Sequence, residues 1–206
     1  MKTACLVIGI LSMFLISANT HGQEWGIGIR LGDPNGITIK KYMEGNALEF
    51  SIGRSHFFNG NGYYDNRFND WYNDMKFGYN DFQYVNYKTS VPIGFQLHYL
   101  IQKPITTIGD DDIRGLAWYY GYGGQLRYQS YTYSYRYKLG GNPEWIYTTG
   151  QRVTDIDIGG DGVIGLEYTF EEAPITVFID ITLFIEVIDN PLLFWFQSGI
   201  GGRYRF

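Results

Sequence analysis

Pro191-Leu-Leu-Phe-Trp-Phe-Gln-Ser-Gly-Ile-Gly-Gly-Arg-Tyr-Arg-Phe206 closes the chain, and its alternation decides the fold. Phe194, Phe196, Ile200, Tyr204 and Phe206 fall on one parity, and Gln197, Gly199, Gly201, Arg203 and Arg205 on the other. Successive side chains of a strand point to opposite faces, so this segment offers lipid one face and a polar interior the other. It reads as the last strand of a transmembrane β-barrel.

The start of the chain agrees. Lys2 gives a positive n-region, Ala4 to Ser17 form an apolar run, and small or polar residues follow at Ala18, Asn19, Thr20 and Gly22. The run is shorter than the ~20 residues a spanning helix needs, so residues 1–22 are expected to be a cleaved signal peptide, with Gln23 the new amino-terminus. Cys5, the only cysteine, lies too early for a lipoprotein attachment site and leaves with the signal, so neither disulfides nor thiolate metal sites are expected. Residues 1–22 contain one Lys and no acidic residue, which leaves 23–206 with a formal charge of −6 and argues against nucleic acid as a partner. Abundant Tyr, Phe and Gly with few Pro fit one all-β domain over 23–206, with no linker and no trailing domain.

Alternation and turn residues mark eight strands of an antiparallel up-and-down barrel. Trp25 to Gly32 alternates apolar residues with Gly26, Gly28 and Arg30, and Asp33-Pro34-Asn35-Gly36 turns it. Ile37 to Met43, Ala47 to His56, Val91 to Ile101 and a strand from Leu116 follow, then Gly162 to Phe170, Ile175 to Val187 and the terminal strand. An even count places both ends on the periplasmic side. The turns at 44–46 and 171–174 are short, the segments after the third and fifth strands are long and expected outside the cell, and the linker at 102–115 has no evident reason for its length.

The inward parity sets Arg30, Lys40, Arg127, Arg203 and Arg205 against Glu49, Glu167, Asp180 and Glu186, with Gln96, His98, Gln125 and Gln197 among them. An eight-stranded barrel is just wide enough for side chains to fill, so these groups are expected to pair into a polar plug. A narrow conducting path for polar solutes is the alternative. Inward glycines are expected to make room for the long arginines.

Gly26-Ile-Gly-Ile-Arg30-Leu-Gly-Asp33-Pro-Asn-Gly36-Ile-Thr-Ile-Lys40-Lys-Tyr, Gly162-Val-Ile-Gly-Leu-Glu167-Tyr-Thr-Phe-Glu-Glu-Ala-Pro174 and the terminal Arg-Tyr-Arg-Phe206 resemble the small outer-membrane β-barrels of Bacteroidetes-type bacteria. The likeness covers nearly all of 23–206 and is similar in architecture to OmpA- and OmpX-type transmembrane barrels. It implies the outer membrane of a Gram-negative bacterium and no catalytic signature. Tyr204 and Phe206 resemble the signal read by the barrel-assembly machinery, which the resemblance implies as a transient partner.

Recognition falls to the outer segments. Residues 57–87 mix twelve aromatic rings, among them Tyr63, Tyr64, Trp71, Tyr72 and Tyr79, with Asn, Asp and Gly, a composition that suits an adaptable surface able to stack on sugars. The competing reading packs these rings on one another where strands leave the membrane. Leu116 to Lys138 spans roughly 75 Å as a strand, so the fifth strand is expected to protrude as a sheet. With Tyr131, Tyr133, Tyr135 and Tyr137 the phase of its alternation slips near Ser130, which predicts a bulge or turn there. Arg54, Arg67, Lys76 and Lys88 would meet lipopolysaccharide phosphates.

Catalysis is not expected. A lipid A-modifying hydrolase would need Ser and His at outer-leaflet height, yet His98 lies deep in a strand, and adjacent Ser55 and His56 point to opposite faces. Asp110-Asp111-Asp112, Asp155 and Asp157 lack the glycine and glutamate spacing of a calcium loop and read as solvated turn acids, so neither metal nor cofactor is expected.

Overall fold

The computed structural model describes residues 24–55, 61–78, 81–108, 111–188 and 194–206; the expected signal peptide, His56, Tyr79 and Asp110 lie outside them. In chain order these residues form β1 (Trp25–Gly32), β2 (Asn35–Met43), β3 (Asn46–Arg54), α1 (Asn61–Asp74), β4 (Phe82–Thr89) and β5 (Ile93–Pro104). There follow β6 (Thr107–Ile108), β7 (Asp111–Asp112), β8 (Leu116–Tyr137), β9 (Ile146–Thr169), β10 (Ile175–Ile188) and β11 (Phe194–Arg205). Eight strands pair antiparallel in the ring β1-β2-β3-β5-β8-β9-β10-β11 and back to β1. The ring is sealed by backbone: Trp25 N donates to Phe206 O at 3.1 Å, and Phe206 N to Trp25 O at 2.9 Å. This is the expected eight-stranded barrel, and closure leaves its ring without a bare edge.

Exposure along the ring is inverted relative to a soluble protein. On β10, Ile175, Val177, Ile179, Ile181, Ile185 and Val187 are exposed, whereas Thr176, Asp180, Thr182 and Glu186 are buried. β11 repeats the pattern, exposing Phe194, Phe196 and Ile200 and burying Gln197 and Arg203.

Above the ring, β8 and β9 continue as a pair to Tyr137↔Ile146, so the sixth strand starts at Ile146 rather than Gly162. β5 leaves β8 at Ile93↔Tyr128, and from Tyr131 outward β4 takes its place. The result is the expected protruding sheet, in the order β4-β8-β9.

The segment read as a long loop over 57–87 contains α1 and β4 instead. α1 is built from poor helix formers, chiefly Asn, Asp and Tyr, so propensity does not announce it. Its signal is the i, i+3, i+4 spacing of Phe68, Trp71 and Tyr72. The helix stops where Met75 N still reaches Trp71 O at 3.1 Å and Lys76 turns left-handed, with φ of 52°.

The expected break near Ser130 does not occur in β8. Tyr131, Tyr133 and Tyr135 keep the parity of Arg127 and Gln129, and all five are buried. What changes is the environment, from polar lumen to aromatic cap. The extra residues lie on the partner strands: β9 has one between Thr149 and Arg152, and β4 one between Tyr84 and Asn86. Half of the 102–115 linker is strand, with β5 reaching Pro104 and β6 pairing β7 in a small hairpin.

Candidate functional site

Two constructions follow from the fold, a plug in the lumen and a cap above it. Strand tilt and alternation bring the inward residues of distant strands together. Arg30, on the inner face of β1, donates to both oxygens of Asp180, at 2.6 and 2.7 Å, and Tyr119 Oη donates to Asp180 at 3.2 Å. Lys40 Nζ lies 2.7 Å from Glu167, which also accepts from Gln102 at 2.7 Å. Arg203 lies 2.7 Å from Glu49 and 3.7 Å from Glu167, and donates to Thr38. Arg30 is 4.0 Å from the same Glu49. Three cations and three carboxylates thus interlock across the bore, all at most 5 % exposed.

Midway, an amide layer crosses the lumen: Gln96 Nε2 donates to Gln197 Oε1 at 3.1 Å and lies 3.2 Å from Gln125 Oε1. His98 Nε2 sits 3.1 Å from Asp161 Oδ2, both buried. Further out, Asp33 accepts from Ser55 at 2.7 Å and from Gln197 at 3.2 Å, with Arg127 at 3.6 Å. Arg127 lies over the rings of Trp195 and Phe184 at 4.2 and 4.8 Å, and Arg203 over Phe178 at 3.7 Å. Cations between ring faces fill space as well as charge.

Glycines shape this packing. A Cβ on Gly199 would collide with the Arg30 guanidinium, so only glycine leaves the arginine its place. At Gly150, a Cβ would lie 2.8 Å from the Trp71 indole.

Of the residues read as a polar lumen, Arg30, Lys40, Glu49, Gln96, His98, Arg127, Glu167, Asp180 and Arg203 join this connected interior. Glu186 is buried on the same inner face, and Arg205 is half-buried with its guanidinium 3.9 Å from the Tyr42 ring centre. Several members were not anticipated. Asp33 reads as a turn residue from Asp-Pro-Asn-Gly yet is 4 % exposed. Asp155 and Asp157, expected as solvated turn acids, are buried inward residues of β9, because that strand begins well before them. Asp161 was missed for the same reason. Asp112 is exposed in the small hairpin. Among the described residues, no group of three or more His, Cys, Asp or Glu is arranged to hold a metal.

The cap is aromatic. Phe68, Tyr72, Tyr131, Tyr133 and Tyr135 are its buried centre, with Trp71, Phe77, Phe82 and Tyr84 packed around them. Tyr72 stacks on Phe82 at 3.9 Å, and Phe68 meets Tyr133 edge to face at 5.2 Å. Burial, with Tyr131 beside it, pushes the Tyr133 phenol above its usual range. Arg67 reaches from α1 to Asp155 at 3.0 Å, tying the helix to the inner face of β9. Of the ring candidates for surface binding, Tyr72 is buried and Trp71 half-buried in this cap, and Tyr63 and Tyr64 lie on the first turn of α1. Tyr204 pairs with Ile27 in the seam that Phe206 seals.

No family model and no curated protein matches the chain. Among solved structures it is similar to the N-terminal β-barrel domain of Pseudomonas aeruginosa OprF, at 13 % identity over 88 % of this chain and 94 % of that one, with a TM-score of 0.48. It is also similar to Neisserial surface protein A, at 9 % identity over 88 % of this chain and 93 % of that one, with a TM-score of 0.39. The architecture here rests on the closed strand order itself.

Proposed function

We propose that the chain is an integral outer-membrane β-barrel without enzymatic activity, closed to solutes, whose capped outer sheet is a surface for recognition. The observation that carries this is the inversion of the ring: isoleucine and phenylalanine outside, ion pairs inside. Isolated charges in such a lumen would be costly, and pairing with good geometry offsets that cost. An apolar outer surface of this size has no stable place in water, whereas in lipid it is the preferred one. The smaller reading, a pore for polar solutes, needs a water path that the interlocked Arg30, Lys40, Arg203, Glu49, Glu167 and Asp180 fill.

The embedding is testable because residues 23–206 contain no cysteine. Single cysteines replacing Ile179, Thr182 or Tyr147 carry a spin label after refolding into vesicles. The label at 179 is expected to be accessible to oxygen and shielded from a water-soluble quencher, and the label at 147 the reverse. Water access at 179 equal to that at 147 would overturn the reading. Introduction at Thr182, an inward position, should perturb folding far more than at Ile179.

A further inference from the structure

We infer that the outer face of the protruding β4-β8-β9 sheet binds the anionic sugar of a membrane-rooted glycolipid, a proposal that rests on the membrane-spanning reading above. The argument begins with register. Lys88, Thr132 and Arg152 lie side by side across the three strands. Further out, Gln83, Arg136 and Tyr147 form a second row. Lys138 and Trp145 follow beyond it, in contact at 4.7 Å. On β8 these positions are even-numbered, the parity of the exposed Leu126 and Tyr128, so the face is the one turned away from the aromatic cap.

The bulge in β9 makes this face. Below it the even residues Ile156 and Ile158 point outward; the extra residue between Thr149 and Arg152 reverses the parity, so that Tyr147 comes beside Arg136. Without that residue, Tyr147 would turn toward the cap and the arginine would lose its neighbour.

Four cations therefore share one face with polar and aromatic side chains, and these two rows contain no acidic residue; Asp81 and Glu144 flank the face at its far end. Among the described residues, none of the four has a carboxylate partner, whereas Arg30, Lys40 and Arg203 in the lumen all do. Arg152 donates to Ser130 Oγ at 2.7 Å. Arg136 is held 4.6 Å from the Trp145 ring centre and donates to Tyr147 Oη at 2.9 Å. Arg136, Lys138 and Arg152 are thus positioned by rings, hydroxyls and the Gln83 amide oxygen, with their charge unspent. Since residues 23–206 carry a net charge of −6, this basic face is a local feature.

Its position names the occupant. The face starts directly above the exposed Tyr128 and Ile156, a paired position at the top of the apolar belt. The row of Lys88 and Arg152 stands about 13 Å along the strand from there, and Lys138 about 33 Å, before foreshortening by strand tilt. A ligand whose acyl chains lie on the belt would present phosphates to Lys88 and Arg152 and further anionic sugars to Arg136 and Lys138, with Trp145 and Tyr147 as flanking rings. A phospholipid would reach only the lower row.

The test titrates the refolded barrel, in zwitterionic micelles, with purified lipopolysaccharide, with the same material after phosphate removal, and with phosphatidylglycerol. The wild type is expected to bind the intact glycolipid most tightly, with affinity falling as salt rises. Replacing Lys88, Arg136, Lys138 and Arg152 together by Gln should weaken it by about tenfold or more, at about twofold for each exposed contact. Arg114→Gln, an exposed arginine elsewhere, should leave it unchanged. Heat-modifiable gel mobility reports folding; if the fourfold variant does not fold, the pairs Lys88→Gln with Arg152→Gln and Arg136→Gln with Lys138→Gln replace it. Equal binding of the dephosphorylated form or of phosphatidylglycerol, or undiminished affinity in a folded variant, overturns the proposal. Failure of the membrane-spanning reading would look different, as water access at the label on position 179.

Discussion

Replacing Arg30 by Met isolates a buried carboxylate, and its consequence can be worked from the contacts. Arg30 is 1 % exposed and gives Asp180 two short charge-assisted hydrogen bonds, at 2.6 and 2.7 Å. In Arg30→Met, Asp180 keeps, among the described residues, the Tyr119 hydroxyl at 3.2 Å, while Glu49 retains Arg203 at 2.7 Å. Breaking a buried pair from one side costs about 3–5 kcal/mol, because the remaining charge stays desolvated. Changing both partners, Arg30→Met with Asp180→Leu, removes one charge of each sign, and such swaps are often neutral or stabilising. The double variant should therefore recover most of the loss, to within about 1 kcal/mol of wild type. Urea unfolding of the barrel in vesicles, followed by tryptophan fluorescence, measures Arg30→Met, Asp180→Leu and the double variant against the wild type. A single-variant loss below about 1 kcal/mol, or losses that simply add in the double variant, would refute the claim that this pair is a desolvated element of the plug.

Other expectations are more local. Gly199→Val should displace Arg30 and destabilise the barrel to a degree similar to Arg30→Met, whereas Gly160→Val, whose Cβ would meet Gly123 O at an unstrained 3.8 Å, should be tolerated in the same unfolding assay. Ile179→Arg, on the exposed face of β10, should cost about 2–4 kcal/mol in vesicles. Phe68→Ala should cost about 3–5 kcal/mol of cap stability; limited proteolysis should then cut within α1 or β4 and leave the ring intact. The raised Tyr133 phenol favours the neutral form in the folded cap, so its contribution is complete below the ordinary tyrosine value of about 10 and is lost as pH rises above it. Proteolysis of the cap should accelerate in that alkaline range, and an unchanged rate would count against its packing.

The barrel was legible because strand alternation has a period of two and nothing in lipid disguises it. Ile175 to Val187, which alternates most cleanly, lies where it was expected, with the expected face outward. The inward charges followed from the same parity. What was not legible depended on contacts between distant segments. Asp33 sits in a turn by every local signal, and only the barrel's curvature brings Ser55, Gln197 and Arg127 around it. α1 has weak propensity and exists by packing on Tyr131, Tyr133 and Tyr135, tertiary context overriding local preference. Those tyrosines imitate a phase slip because the inner face of one strand passes from a polar lumen into an aromatic cap, a change of solvent that parity alone does not register.

Single-channel conductance of residues 23–206 refolded in planar bilayers tests the plug most directly, with heat-modifiable gel mobility establishing that the barrel is folded. The interlocked lumen predicts a folded protein that stays silent over a wide range of voltage. Steady, reproducible openings from that folded material would contradict it, and make the lumen charges a solute path.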